Sequence, residues 1–183
     1  MTSPLTHDPR FMLRAALAGF DGARDRFQAA AVPGALPELV FAPLAEALWW
    51  AVSVDDGFKE LAATQALGWP NKGAYQVARD KDPDGRVLEG VRYARDRCGH
   101  QLALAALEDQ LRLPFSLPNV LGPAFRWRPS DQLPQPARKN ELANANKKRP
   151  HYDTWLAKRP ASMAVESAAK WFAYAAGGRD LAA

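Results

Sequence analysis

The stretch Arg92-Tyr93-Ala94-Arg95-Asp96-Arg97-Cys98-Gly99-His100-Gln101 gathers three arginines, one aspartate and one histidine. An imidazole titrates near neutrality and can take or return a proton, while guanidinium groups carry permanent charge suited to phosphate oxygens. On an ideal helix Asp96 and His100 are four residues apart and nearly superposed, so the carboxylate can hold the ring's orientation. Arg95 and His100 are five apart, about 140° around the axis. For that pair to meet on one phosphate, either the turn at Gly99 is distorted or a second copy of the helix faces the first, Arg95 of one chain serving His100 of the other. The same residues also admit a structural arrangement in which the arginines pair with Asp96 and Glu89 or meet solvent, and His100 makes a buried hydrogen bond.

Other chemistries lack their residues. The chain has no Walker loop and no GxGxxG. His7, His100 and His151 are too far apart to form a spaced metal site, so neither metal nor cofactor is expected. The single cysteine, Cys98, allows no intramolecular disulfide, fits a reducing compartment and falls on an apolar stripe, where it reads as a small buried hydrophobe. The longest uncharged stretch, Leu113 to Phe125, is 13 residues with three prolines, too short for a bilayer span of about 20. The start of the chain does not read as a secretory signal, and a cytoplasmic protein is expected.

Positive charge is unevenly placed. From Ala124 to Pro150 the chain carries Arg126, Arg128, Arg138, Lys139, Lys147, Lys148 and Arg149 against Asp131 and Glu141, a local +5 that exceeds the +4 of all 183 residues. Such an excess attracts polyanions, RNA above all, and Trp127, His151 and Tyr152 add rings that could stack on unpaired bases. Arg92, Arg97, Arg126, Arg128, Lys147, Lys148 and Arg149 are the candidate RNA-binding residues. The plainer alternative is a solvated strip whose Phe125 and Trp127 pin a proline-rich arm to the rest.

The elements that must position these groups are helical. Phe11 to Ala31 reads as a helix broken near Gly19 and Gly22. A central helix is expected from a first-turn Pro43, along Leu44, Ala47, Leu48, Ala51 and Val52, to a stop at Asp55-Asp56-Gly57. Short helices follow at Phe58 to Leu67 and Ala74 to Ala78. After the turn Asp82-Pro83-Asp84-Gly85, the proline-free run Arg86 to Leu113 predicts the longest helix, with Val87, Val91, Ala94, Cys98 and Leu102 on one face and Leu104, Leu107 and Leu111 continuing it. Eight of the 15 prolines lie between Pro114 and Pro160, so that segment reads as an extended arm with one short strand at Phe125 to Arg128. A last helix is expected over Ser162 to Ala176, docking through Met163, Val165, Ala169, Phe172 and Ala173 and stopped by Gly177-Gly178.

Arg95, Asp96 and His100 spell Arg-Asp-x-x-x-His, which resembles the Arg-x(4-6)-His motif of the HEPN superfamily, helical bundles in which the arginine is often followed by Asn, Asp or His. The tryptophan-bearing helix before the motif also fits; the resemblance covers Leu36 to Leu113 and nothing after Pro114. It implies an all-α, HEPN-like bundle, here with core 1–113, a proline-rich basic arm 114–160 and a C-terminal helix 161–183 packed back within the same domain. It also implies a metal-independent endoribonuclease working as a homodimer, in a toxin or antiphage-defence setting, where an antitoxin or other protein would be a partner. His100 would then move the proton as the RNA 2′-hydroxyl attacks its own phosphodiester, leaving a 2′,3′-cyclic phosphate; Arg95 would stabilise the developing charge and Asp96 orient His100. Two alternatives remain: a non-catalytic HEPN-like module that holds nucleotide, RNA or protein on the same surface, and a helical adaptor whose Trp49, Trp50 and Trp127 form a protein interface.

Overall fold

The structure, a computed structural model, describes residues 8–32, 35–65, 67–101, 106–108 and 125–177, with backbone alone for 99–101 and 106–108. It is mainly helical. Helix α1 (Pro9–Ala30) starts where the Asp8 carboxylate accepts from the Arg10 N–H at 2.9 Å and Pro9 takes the first helical position. No break occurs at Gly19 or Gly22. A Cβ at Gly19 would fall 2.6 Å from the Trp50 indole, so this glycine admits a neighbouring helix instead of interrupting its own.

That neighbour is α2 (Pro37–Ala63), the longest helix among the described residues. Its expected limits are both corrected. Pro37 takes the first-turn position, and Pro43 lies inside, where its missing N–H leaves the Leu39 carbonyl without a helical donor. At the other end the helix runs straight through Asp55-Asp56-Gly57, because Asp55 is paired and buried and Gly57 packs on Leu13; the expected helix after Phe58 is its last turns. The pairs Leu13 with Gly57, Gly19 with Trp50 and Arg26 with Glu46 run in opposite senses along α1 and α2, making an antiparallel hairpin.

Helix α3 (Lys72–Lys81) is capped by the Asn71 side chain, which accepts from the Ala74 N–H at 2.9 Å. The Asp82 carboxylate then accepts from the N–H groups of Asp84 and Gly85, closing the expected turn. A 3-10 turn, Gly85–Val87, leads into α4 (Leu88–Gln101), which carries the motif. The long helix to Leu113 is overturned. Ala106–Glu108 is instead strand β1, antiparallel to β2 (Phe125–Trp127), with Ala106 opposite Trp127 and Glu108 opposite Phe125. At Ala106–Glu108 the pairing with β2 overrides the helical spacing that Leu107 would continue. Leu102, Leu104 and Leu111 of the expected stripe lie outside the described residues, as does Gly178.

The other edge of β2 is also occupied: the Trp127 N–H donates to the Arg159 carbonyl at 3.0 Å, and the Lys158 N–H donates to the Trp127 carbonyl at 2.8 Å. Between these points the expected arm holds α5 (Lys139–Trp155), a 17-residue helix with Pro150 inside it. Only Ala145 and Tyr152 of α5 are buried, so the apolar signal is one residue every two turns. It packs antiparallel to α4, with Gly90 against Tyr152 and Leu156 and Asp96 against Lys148.

Helix α6 (Ala161–Ala176) lies where expected, but Trp171 is a core residue and Ala173 is exposed. Phe172 meets Phe20 of α1 at 5.2 Å and Phe58 of α2 at 6.0 Å. One hydrophobic core joins all six helices and includes Phe125, Trp127 and Leu133, so these residues anchor the segment after 124 to the bundle. No described helix is long and apolar enough to cross a membrane.

A Cβ at Gly90 would fall 2.8 Å from Leu156 Cδ1, 3.2 Å from the Tyr152 Cα and 3.3 Å from the His151 carbonyl oxygen. Backbone cannot yield as a side chain can. Gly90→Val is expected to lower the unfolding free energy by about 1–3 kcal/mol in urea titration.

Candidate functional site

The motif helix is set against α2 by a buried charge cluster. Asp55 is 0% exposed on the core side of α2. Its Oδ2 meets Lys59 Nζ at 2.8 Å, Arg79 Nη1 at 2.8 Å and Arg92 Nη2 at 2.5 Å, while its Oδ1 accepts from the Tyr75 hydroxyl at 2.8 Å. Tyr75 accepts in turn from Trp171 Nε1 at 3.0 Å, which brings in α6. Arg79 also reaches Asp80 and Glu89, and Arg92 reaches Asp56. Burial alone would raise the Asp55 pKa; the charges of Arg79, Lys59 and Arg92 outweigh it and hold the carboxyl down at about 2. Burial likewise works against the charge of Arg79 and Arg92, but their carboxylate partners keep both firmly protonated, and the Tyr75 hydroxyl is pushed up by burial and by Asp55.

Two of the candidate RNA-binding residues have partners within the fold. Arg92 is committed to Asp55 and Asp56, where its charge is spent on holding α4 to α2. Arg97 is 3% exposed, with its Nη1 donating to the Pro134 carbonyl and its guanidinium over the Tyr93 ring. Neither faces a ligand.

One turn beyond Arg92 the character of α4 changes. Arg95 keeps 19% of its side chain in solvent, and its guanidinium carbon lies 5.0 Å from the ring centre of Trp49, which is 49% exposed. Asp96 Oδ1 lies 2.8 Å from Arg95 Nη2 as an ion pair, and its Oδ2 accepts from Lys148 Nζ of α5 at 2.8 Å. Three helices therefore meet at this point: the Arg95 guanidinium lies between the Trp49 ring of α2 and the Asp96 carboxylate, which Lys148 of α5 also reaches. Both Asp96 oxygens are engaged by cations, which is a different use from the orienting of His100. The backbone of α4 stays helical through Gly99 and His100 to Gln101, with no distorted turn; the His100 side chain lies outside the described residues.

The rest of the basic strip is spread out. Arg126 Nη1 donates to the Lys158 carbonyl, and Arg149 Nε donates to Ser130 Oγ and lies near Asp153, so these two brace the segment around β2. Arg128 is half-buried, and its carbonyl accepts from the Tyr152 hydroxyl at 2.6 Å. Lys147 is exposed beside Lys148. Cys98 is buried, and among the described residues no group of three or more His, Cys, Asp or Glu could hold a metal ion.

Two features escaped the sequence reading. Asp55 looks like a helix stop, yet it falls three residues after Val52 and four after Ala51, on the apolar stripe, with Lys59 one turn on; an acid in that position signals a buried partner. Trp49 looks like a broadening of that stripe and instead points out of it.

Removing Asp55 leaves three cations facing a dry interior. Asp55→Ala is expected to cost about 3–5 kcal/mol, read by thermal or urea unfolding. Because the folded-state pKa is below the ordinary value of 3.8, the stability Asp55 contributes is complete above pH 4 and is lost as pH falls toward 2, so acid unfolding of the wild type should steepen in that window and Asp55→Asn should lack this component.

No protein-family model, no curated protein and no solved structure matches the chain, and what this face can bind follows from its own side chains.

Proposed function

We propose that the chain is an RNA-binding helical protein of the HEPN kind that cleaves RNA without a metal ion, as a homodimer with composite active sites. The observation that carries the reading is the face around Arg95: a solvent-reaching guanidinium beside the Lys148 ammonium and the half-exposed Trp49, with His100 following on the same helix. Cations of this kind suit phosphate oxygens, and an exposed indole suits an unpaired base. Regular helix through Gly99 keeps Arg95 and His100 about 140° apart around the axis, so their convergence calls for a second copy of α4. In that arrangement His100 of one chain moves the proton of the attacking 2′-hydroxyl, and Arg95 of the other neutralises charge on the phosphoryl oxygens.

A second reading has its own observation. Asp96 has both oxygens engaged by Arg95 and Lys148, a commitment to cations and not to an imidazole, which favours a module that binds RNA and does not cut it.

Incubation of the purified chain with single-stranded RNA in EDTA separates the two. Cleavage is expected for the wild type and a loss of about a hundredfold or more for either His100→Ala or Arg95→Ala. Mixing and re-equilibrating the two variants should restore roughly a quarter of wild-type activity, since half the dimers are mixed and each mixed dimer holds one intact composite site. Undiminished cutting by His100→Ala sinks the cleavage reading; intact binding without cutting establishes the second one.

A further inference from the structure

We infer that Trp49, Arg95 and Lys148 form a subsite for one nucleotide of a single RNA strand, with the base on Trp49 and the phosphate between the two cations, and that Asp96 occupies the phosphate's place when no RNA is bound. The inference rests on the RNA-binding reading above and does not require cleavage.

The geometry is that of an anion site filled from within. Two cations from different helices, Arg95 of α4 and Lys148 of α5, each hold one oxygen of the same carboxylate at 2.8 Å. The two non-bridging oxygens of a phosphodiester offer the same pair of acceptors and the same single negative charge. The site is also partly open: the side chains of Arg95, Asp96 and Lys148 are 19%, 18% and 23% exposed, enough for a ligand to approach and too little for the ion pairs to be fully screened. Lys147, exposed on the next position of α5, adds charge along the path of a strand.

Trp49 gives the site its preference for a base. Among the tryptophans of the described residues, Trp127 and Trp171 are buried in the core, Trp50 packs on Gly19, Trp69 is half-buried edge-on to Tyr75 at 5.7 Å, and Trp155 lies beneath the Arg86 guanidinium at 3.8 Å. Trp49 alone of these is exposed, and the cation that meets its ring is Arg95 itself. A phosphate held by Arg95 therefore brings its nucleoside next to an indole surface already in water. Stacking on an aromatic ring tolerates any base but requires an unpaired one, which selects single strands over duplex. Asp96 sets the threshold: RNA must displace a carboxylate from both cations, which weakens binding of stray monoanions more than that of a strand with many phosphates.

The test uses full-length His100→Ala protein, so that the strand stays intact, and fluorescence anisotropy of a labelled ten-nucleotide oligouridylate in EDTA, beside an abasic strand of equal length. Adding Trp49→Ala should weaken oligouridylate binding roughly fivefold or more, Trp49→Phe should keep most of it, and the abasic strand should bind both proteins alike. Lys148→Gln should weaken both strands and lower the slope of log affinity against log salt by about 0.7. Asp96→Asn should tighten both. Circular dichroism and melting confirm that each variant is folded; Trp49 is exposed, so its loss leaves the core intact. The subsite is overturned if folded Trp49→Ala binds oligouridylate as its parent does, if it loses the same factor on the abasic strand, if Asp96→Asn fails to tighten binding, or if the parent binds neither strand. Trp49-dependent binding by a wild type that cuts nothing removes the nuclease reading and keeps the subsite, whereas cutting with Trp49-independent binding removes the subsite alone.

Discussion

Everything on the functional face depends on a carboxylate that never sees it. Asp55 sits in the core of the bundle and is tolerable there only because Lys59, Arg79 and Arg92 converge on it and Tyr75 donates to its remaining oxygen. The partners come from α2, α3 and α4, and the Tyr75 link to Trp171 extends the cluster to α6. Hydrophobic contacts alone are forgiving of a helix that rotates or slides by a turn; an arginine that must reach one oxygen at hydrogen-bond distance is not. By fixing Arg92, the cluster fixes the rotation of α4, and Arg95, three residues on, is thereby delivered beside Trp49.

The same helix thus has two charged stretches with opposite duties. Arg92 and Arg97 are turned inward, Arg92 paired with acids and Arg97 donating to a backbone carbonyl, while Arg95 between them stays within reach of solvent and of a second helix. Helical geometry gives part of the division: residues 95 and 97 are about 160° apart around the axis, whereas 92 and 95 are only about 60° apart and differ by their place along it, Arg92 level with Asp55 and Arg95 a turn further on beside Trp49. Counting arginines along the sequence treats them as equals; their position around and along the helix decides which can meet a ligand.

Much of the fold was legible because it rests on periodicity and on turn chemistry. The α1 and α6 stripes, the Asp82 to Gly85 turn, the burial of Cys98 and the short extended segment at Phe125 could all be read from residue types. The limits of α2 could not, since Pro43 and Asp55-Asp56-Gly57 carry local signals for a start and a stop that packing against α1 and the buried ion pairs override. Helix α5 was hidden for the opposite reason: with Pro150 inside it and only Ala145 and Tyr152 buried, its face is too sparse to register as a stripe. Of the site, the motif positions and Lys148 were visible, but the meeting of Lys148 with Asp96 spans 52 residues and depends on that unseen helix.

The way β2 is held has a further consequence for α5. Trp127 exchanges backbone hydrogen bonds with Lys158 and Arg159, so the two ends of the segment between them are tied together at a single point. Within the excursion, Tyr152 is bonded to the Arg128 carbonyl, and Ser130 to Asp153 and Arg149. The entropy of closing that loop is met at its neck, independently of whether α5 rests on α4. Residues 127–159 are thereby cross-bonded among themselves as well as packed on α4, so the closure of this segment does not rest on the α4 contact alone.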